Sequence, residues 1–363
     1  LSLLRQAIEE DPASPNLVMN LGLELVRSGD AAAGLVHYRE AFHLMAGQAK
    51  SEIVPELREV LLTQFTCQLY KVRAYAEVVT TLTSPLARNG GLTASLHYAL
   101  GLAHHELRDH REAAEQMRQC LAKVSEPTLT PINTDILTTA PHHCLALSLA
   151  KLGETAGAEQ AFHAGLAKQG RVAELKLDYA RFLSEHNRPV DALHQLHEIV
   201  AENAANAVVW QLGGQIALGR PEFLEFARDW TAEAIKYLPE DAGILTQRAE
   251  ALLLSQDIPM ARELWKGLWE RGREPGSLAA LVMCELLDGS VTHLPQNEWE
   301  AASTAQAWLS WYRKCLTVGA SEMVARVNAR LEELRRVLPA AAQVLETVLA
   351  EVQPPHVAES CVG

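Results

Sequence analysis

The sequence predicts an all-α solenoid, a stack of antiparallel helix hairpins, on three observations. Pro15–Ala46 reads as two amphipathic helices broken at Ser28-Gly29-Asp30, with small residues, Gly22 and Gly34, where the two must approach closely. Those small residues then recur. In first helices they are Gly22, Thr66, Gly101, Ala146, Ala180, Gly214 and Ala249, at steps of 44, 35, 45, 34, 34 and 35. In second helices they are Gly34, Val78, Ala113, Ala158, Ala192, Ala227 and Ala261, at steps of 44, 35, 45, 34, 35 and 34. A large residue follows four later in most second helices: Tyr38, Leu82, Met117, Phe162, Leu196 and Trp265. One hairpin cannot bury its apolar face alone, whereas stacked copies can.

Taken in order, Leu1–Pro12 matches a second helix, because Leu4 and Ala7 each stand 34 residues before their counterparts Tyr38 and Ala41. The chain is therefore expected to open in mid-repeat and to be part of a longer protein. After the Pro15–Ala46 hairpin come Gly47–Ile53 and a lengthened helix around Pro55–Tyr70, then a turn at Arg73-Ala74 and a helix running to Pro85. Ala94–Leu107 and His110–Lys123 form the next pair, and Val124–Thr138, with its prolines and Thr/Asn cluster, reads as an inserted loop. Regular pairs follow at Ala140–Leu152/Ala156–Lys168, Val172–His186/Val190–Glu202, Ala207–Leu218/Glu222–Leu238 and Ala242–Ser255/Met260–Arg271. Pro221, Pro239 and Pro275 stand at or just before helix starts, where a missing N–H is harmless. The solenoid is expected over 1–289. Past the loop Gly289–Pro295, helices at Asn297–Thr317, Ser321–Leu338 and Ala340–Val352 lack the small-residue signature and are expected to form a cap over 297–352, with Pro339 breaking or kinking the last pair. Residues 353–363 read as a flexible tail.

Bulk composition narrows the function. Of 363 residues, 48% are hydrophobic and 21% charged, with a net charge of −13 and the two signs interspersed. A nucleic-acid partner would call for a clustered basic surface, so none is expected. No apolar run reaches the ~18 residues of a membrane span, so no membrane insertion is expected. The six cysteines are scattered without a Cys-x-x-Cys pair, as suits reduced thiols in the cytoplasm.

With this period and the segment Leu145–Leu166 (LALSLAKLGETAGAEQAFHAGL), the chain resembles tetratricopeptide-repeat (TPR) proteins from residue 1 to about 288. The resemblance implies a right-handed superhelical solenoid whose concave face binds a protein or extended peptide partner, a non-catalytic scaffold. The opening LLRQAIEEDPASPNLVMNLGLEL, the lengthened helix and the second insertion together resemble the C-terminal repeat region of bacterial family 2 (GT-A type) glycosyltransferases. That would make this chain the accessory or acceptor-binding region of a larger bacterial enzyme. The Asp-x-Asp metal motif of that family is absent from the sequence.

Catalytic and cofactor readings find little support. His104-His105, His142-His143 and the pair His194/His197 invite a zinc site, but zinc needs three or four converging ligands. His104 falls at a packing position, so it reads as a core histidine. Cys144, His143 and Ser148 are close in sequence, yet successive helical residues do not face one another. Gly90-Gly91 and Gly213-Gly214 lack a phosphate-binding loop around them. No catalytic, cofactor or metal residue is therefore expected. The groove stripe of each first helix, offset from the packing stripe, offers Asn16, Tyr70, Tyr98, His105, His143, Arg181, Gln211, Gln215 and Glu250 as partner-binding residues. Asn16 and Asn20 have no lysine near them, which argues against a clamp for a chaperone-type C-terminal carboxylate. In the last third, Trp265, Trp269, Trp308, Trp311 and Tyr312 either close the solenoid or, with the Val324–Leu338 apolar stripe, form a homodimer surface.

Overall fold

The computed structural model describes residues 1–127, 134–168, 172–289 and 291–352. The middle of the expected Val124–Thr138 loop and the whole expected tail lie outside the described residues. Among the described residues every regular element is helical. The chain forms two compact units, Leu1–Phe182 and Leu183 onwards.

The first unit contains α1 (Ser2–Glu10), α2 (Pro15–Arg27), α3 (Ala31–Ala46), α4 (Pro55–Lys71), α5 (Tyr75–Leu82), α6 (Pro85–Arg88), α7 (Ala94–Glu106), α8 (His110–Lys123), α9 (Ala140–Lys151), α10 (Thr155–Leu166) and most of α11 (Val172–Glu185). The second contains α12 (Pro189–Glu202), α13 (Ala207–Leu218), α14 (Leu224–Tyr237), α15 (Ala242–Leu254), α16 (Ile258–Gly272), α17 (Pro275–Asp288), α18 (Glu298–Thr317), α19 (Ser321–Asn328), α20 (Leu331–Val337) and α21 (Pro339–Val352). Helices pack in pairs, α2 on α3, α7 on α8, α9 on α10 and α15 on α16 among them, and first helices also touch the next first helix: α2 on α4, α4 on α7, α7 on α9, and α13 on α15. This is the stacking an all-α solenoid requires.

All fourteen small crossing residues are buried, as are the six large ones that follow them. The α2/α3 crossing is the closest kind, because a Cβ on Gly22 would lie 2.9 Å from the Gly34 carbonyl oxygen. The hairpin turns repeat as well. Asp30, Ala74, Asp109, Glu154, Arg188 and Asp257 each donate an amide to the carbonyl five residues earlier, at 2.9 to 3.0 Å. The residue before each has positive φ, which is the geometry of a helix end closed by a 6→1 bond. Only the α13/α14 hairpin departs. Pro221 occupies the turn position there, its ring forbids positive φ, and the chain makes a 3₁₀ turn, Pro221–Phe223, instead. As a result α14 begins at Leu224, two residues later than expected.

Two other expectations are corrected. The helix after Arg73 ends at Leu82 and does not run to Pro85; Ser84 caps α6 by accepting from the Ala87 amide, with Pro85 at the first helical position. The expected Ser321–Leu338 helix is two, α19 and α20, separated at Ala329-Arg330. In turn, the α18/α19 hairpin uses the same turn as the repeats, with Gly319 at φ +73° and the Ala320 amide donating to the Cys315 carbonyl at 2.9 Å. Tyr312 stands where the small crossing residue would be, and its hydroxyl donates to Asn328 Oδ1 at 2.9 Å.

The second unit's core joins α15 to α17 with α18 to α21. Trp265, Trp269, Trp308 and Tyr312 are buried in it, together with Val324, Val327, Leu334 and Leu338. The aromatic face and apolar stripe are thus covered within the chain. Trp299 alone among the tryptophans is mostly exposed, at 70%.

Candidate functional site

Three of the expected partner-binding residues, Tyr98, His105 and His143, line one cleft of about 390 Å³ in the first unit, whereas Asn16, Tyr70 and Arg181 are not in its lining. Tyr98, Leu102 and His105 reach it from α7, His143 and Leu147 from α9, and Glu174 from α11. The spacing of four or three residues puts each set on one helix face. Asp135 and Thr138 border it from the segment before α9, where Thr134–Leu137 forms a 3₁₀ turn.

A ladder of side-chain bonds joins successive first helices. Tyr70 Oη stands 3.4 Å from Glu106 Oε1, between α4 and α7. His105 Nδ1 is hydrogen-bonded to Ser148 Oγ at 3.0 Å, between α7 and α9. His143 Nε2 donates to Asp178 Oδ2 at 2.9 Å, between α9 and α11, and Arg181 donates to the other oxygen of Asp178 at 2.6 Å. Ser148 and Asp178 carry no groove signal in the sequence. Their role comes from contacts 43 and 35 residues apart.

Burial sets the electrostatics. Desolvation pushes the Tyr98 phenol up, and lifts that of Tyr70 to about 12 with the Glu106 carboxylate adding to it. It lowers His105, with the neighbouring His110 acting in the same direction. Burial alone would raise the Asp178 carboxyl, but hydrogen bonds from His143 and Arg181 outweigh it and hold the group below the ordinary range. Cys144 also lines the cleft, and burial pushes its thiol up to about 12, so it is protonated at neutral pH and a poor nucleophile. The described lining carries Glu106, Asp135 and Glu174 and neither lysine nor arginine.

The remaining expected site residues are placed differently. Asn16 is exposed on α2 and accepts a bond from Asn20. In the second unit, Gln211 donates to Asp241 at 2.9 Å, its carbonyl accepts from Gln247, and Gln215 is exposed. Glu250 is 9% exposed and is bound by Lys314 of α18, so its carboxylate is committed inside the chain. His104 is buried with Nδ1 3.2 Å from Asp109 Oδ2. Among the described residues no three His, Cys, Asp or Glu side chains converge as metal ligands, and no helix is long and apolar enough to cross a membrane.

Comparison with solved structures places the fold. The C-terminal part of a TPR repeat-containing protein from Cytophaga hutchinsonii is similar over 78% of this chain and 98% of its own, at 12% identity and a TM-score of 0.53. A tetratricopeptide repeat protein from Parabacteroides merdae is similar over 73% of this chain and 96% of its own, at 15% identity and a TM-score of 0.45. No protein-family model matches the sequence, and no curated protein does. The fold is therefore an all-α solenoid of the TPR kind.

Proposed function

We propose that the protein is a non-catalytic scaffold that binds an extended peptide segment of a partner protein in the cleft formed by α7, α9 and α11. The observation that carries this is the charge and shape of that lining. α7 and α9 contribute aliphatic, aromatic and histidine side chains, and the described lining adds three carboxylates, one of them Glu174 of α11, with neither lysine nor arginine. The complement of such a surface is a peptide with an apolar or aromatic residue flanked by lysine or arginine. The retained lengthened α4 and the insertion before α9 keep open a second reading, by resemblance to family 2 glycosyltransferases, in which the same cleft receives an acceptor.

The test is selection of peptides on the intact protein, followed by calorimetry with Glu174→Lys and Glu106→Lys. Selected peptides should be basic, and the double change should weaken them at least tenfold at unchanged helicity. Selected peptides with no basic bias, or affinity that survives the reversal, would sink the reading.

A further inference from the structure

A second cleft of the first unit, about 730 Å³, opens between the start of α4, the turn 89–93 and the end of α8. It shares no lining residue with the α7–α9–α11 cleft. At its floor Arg58 is only 7% exposed. Its Nε has no hydrogen-bond partner, and its guanidinium lies flush on Gly90, where a Cβ would fall 1.6 Å from Nη1. The adjoining Glu59, one position further along α4, lines the same cleft.

A second orphan lines the same cleft. Thr93 is the N-cap residue of α7, yet its hydroxyl makes no capping bond and its Oγ1 is buried without a partner. The first-turn amides of α7 therefore lack the side-chain acceptor that a cap supplies. Lys50 and Lys123 stand at the rim, the latter donating to the Leu92 carbonyl at 2.9 Å, and Glu59 and Glu126 complete the charged lining.

A buried guanidinium nitrogen without a partner is costly, and an apolar side chain of similar volume would avoid that cost. Its planar fork matches a carboxylate or a phosphate, and an uncapped helix start adds amide donors to the same anion. The volume lies within the range of small-molecule sites. We propose that this cleft binds a small organic anion carrying carboxylate or phosphate groups, with the Arg58 fork holding one such group and Lys123 and the α7 amides facing it.

The experiment follows the Arg58 side-chain Nε–Hε resonance of the intact protein at constant ionic strength, titrated separately with citrate and with inorganic phosphate. A saturable shift with either supports the site, and which anion saturates it assigns the group. A response to both no larger than that to potassium chloride overturns it. Arg58→Met should lose at least tenfold in calorimetric affinity, and Lys123→Gln, which keeps the donor to Leu92, should lose a smaller factor. Without ligand, Arg58→Met should melt above the parent because an unpaired buried charge is gone. A lower melting temperature would show that Arg58 is already paired, and would equally overturn the proposal.

Discussion

The α2/α3 crossing gives the sharpest test of how the hairpins are held. Gly34→Ala would put a Cβ 2.8 Å from the Gly22 carbonyl oxygen and 2.5 Å from Val26 Cγ2. Val26 can change rotamer, but the Gly22 oxygen is backbone and can retreat only if the helices part. Overpacking of this kind costs roughly 1–3 kcal/mol. Against it stands the intrinsic preference of a helix interior for Ala over Gly, about 1 kcal/mol. The net expectation is a loss of up to about 2 kcal/mol, the difference of those two figures. Gly267→Ala in α16 is the internal control, since nothing lies within 4 Å of its added Cβ and only the propensity gain of about 1 kcal/mol remains. Gly22→Ala meets the same crossing from the other side at 2.9 Å, so the double variant should cost less than the sum of the singles. Calorimetric melting gives the sign, and hydrogen exchange shows whether the lost protection is confined to α2 and α3. If Gly34→Ala stabilises as Gly267→Ala does, the helices are not in backbone contact and the reasoning fails.

Three further outcomes are expected. Ala158→Leu, at a fully buried crossing of α9 and α10, should destabilise by about 1–3 kcal/mol, and an unchanged melting point would mean the repeat phase is misassigned. Lys314→Met leaves Glu250 buried and unpaired at a cost of about 3–5 kcal/mol, whereas Glu250→Met with Lys314→Met should restore most of it; equal stability of the single and double variants would refute the pairing. Glu285, 3% exposed, accepts bonds from Thr292 and His293, and although burial raises its carboxyl these bonds prevail and hold it below the ordinary value. Its stabilisation is complete above the unfolded value of about 4.3 and fades as pH falls through the lower folded one, so Glu285→Gln should cost stability at pH 7 and flatten the acid limb of the stability curve. An acid limb as steep as the parent's would contradict that assignment.

What was legible in the sequence is what lies within one or two turns of helix. The period of small residues located both helices of all seven hairpins, because a crossing contact restricts residue size whatever the rest of the helix does. That signal fails where a large residue is accommodated by a specific bond, as with Tyr312 and Asn328, and so in the sequence the α18/α19 hairpin reads only as part of a cap. Pro221 shows the converse: its place next to a helix start was evident, but its effect on the turn required knowing that the other hairpins use positive φ there. At the groove, spacing alone assembled Tyr98, His105 and His143 on neighbouring helix faces. It gave no hint of Ser148 or Asp178 as their partners, nor that Glu250 is held by a lysine 64 residues away, because such pairs depend on tertiary register.

Photo-crosslinking tests the central claim most directly. A benzophenone side chain at position 147, in the α7–α9–α11 cleft, is compared with one at exposed Val190 on α12, both in the presence of a selected basic peptide. Crosslinks from position 147 and none from 190, competed away by unlabelled peptide, are the predicted result. Crosslinks from 190 alone, or equally from both, would contradict it.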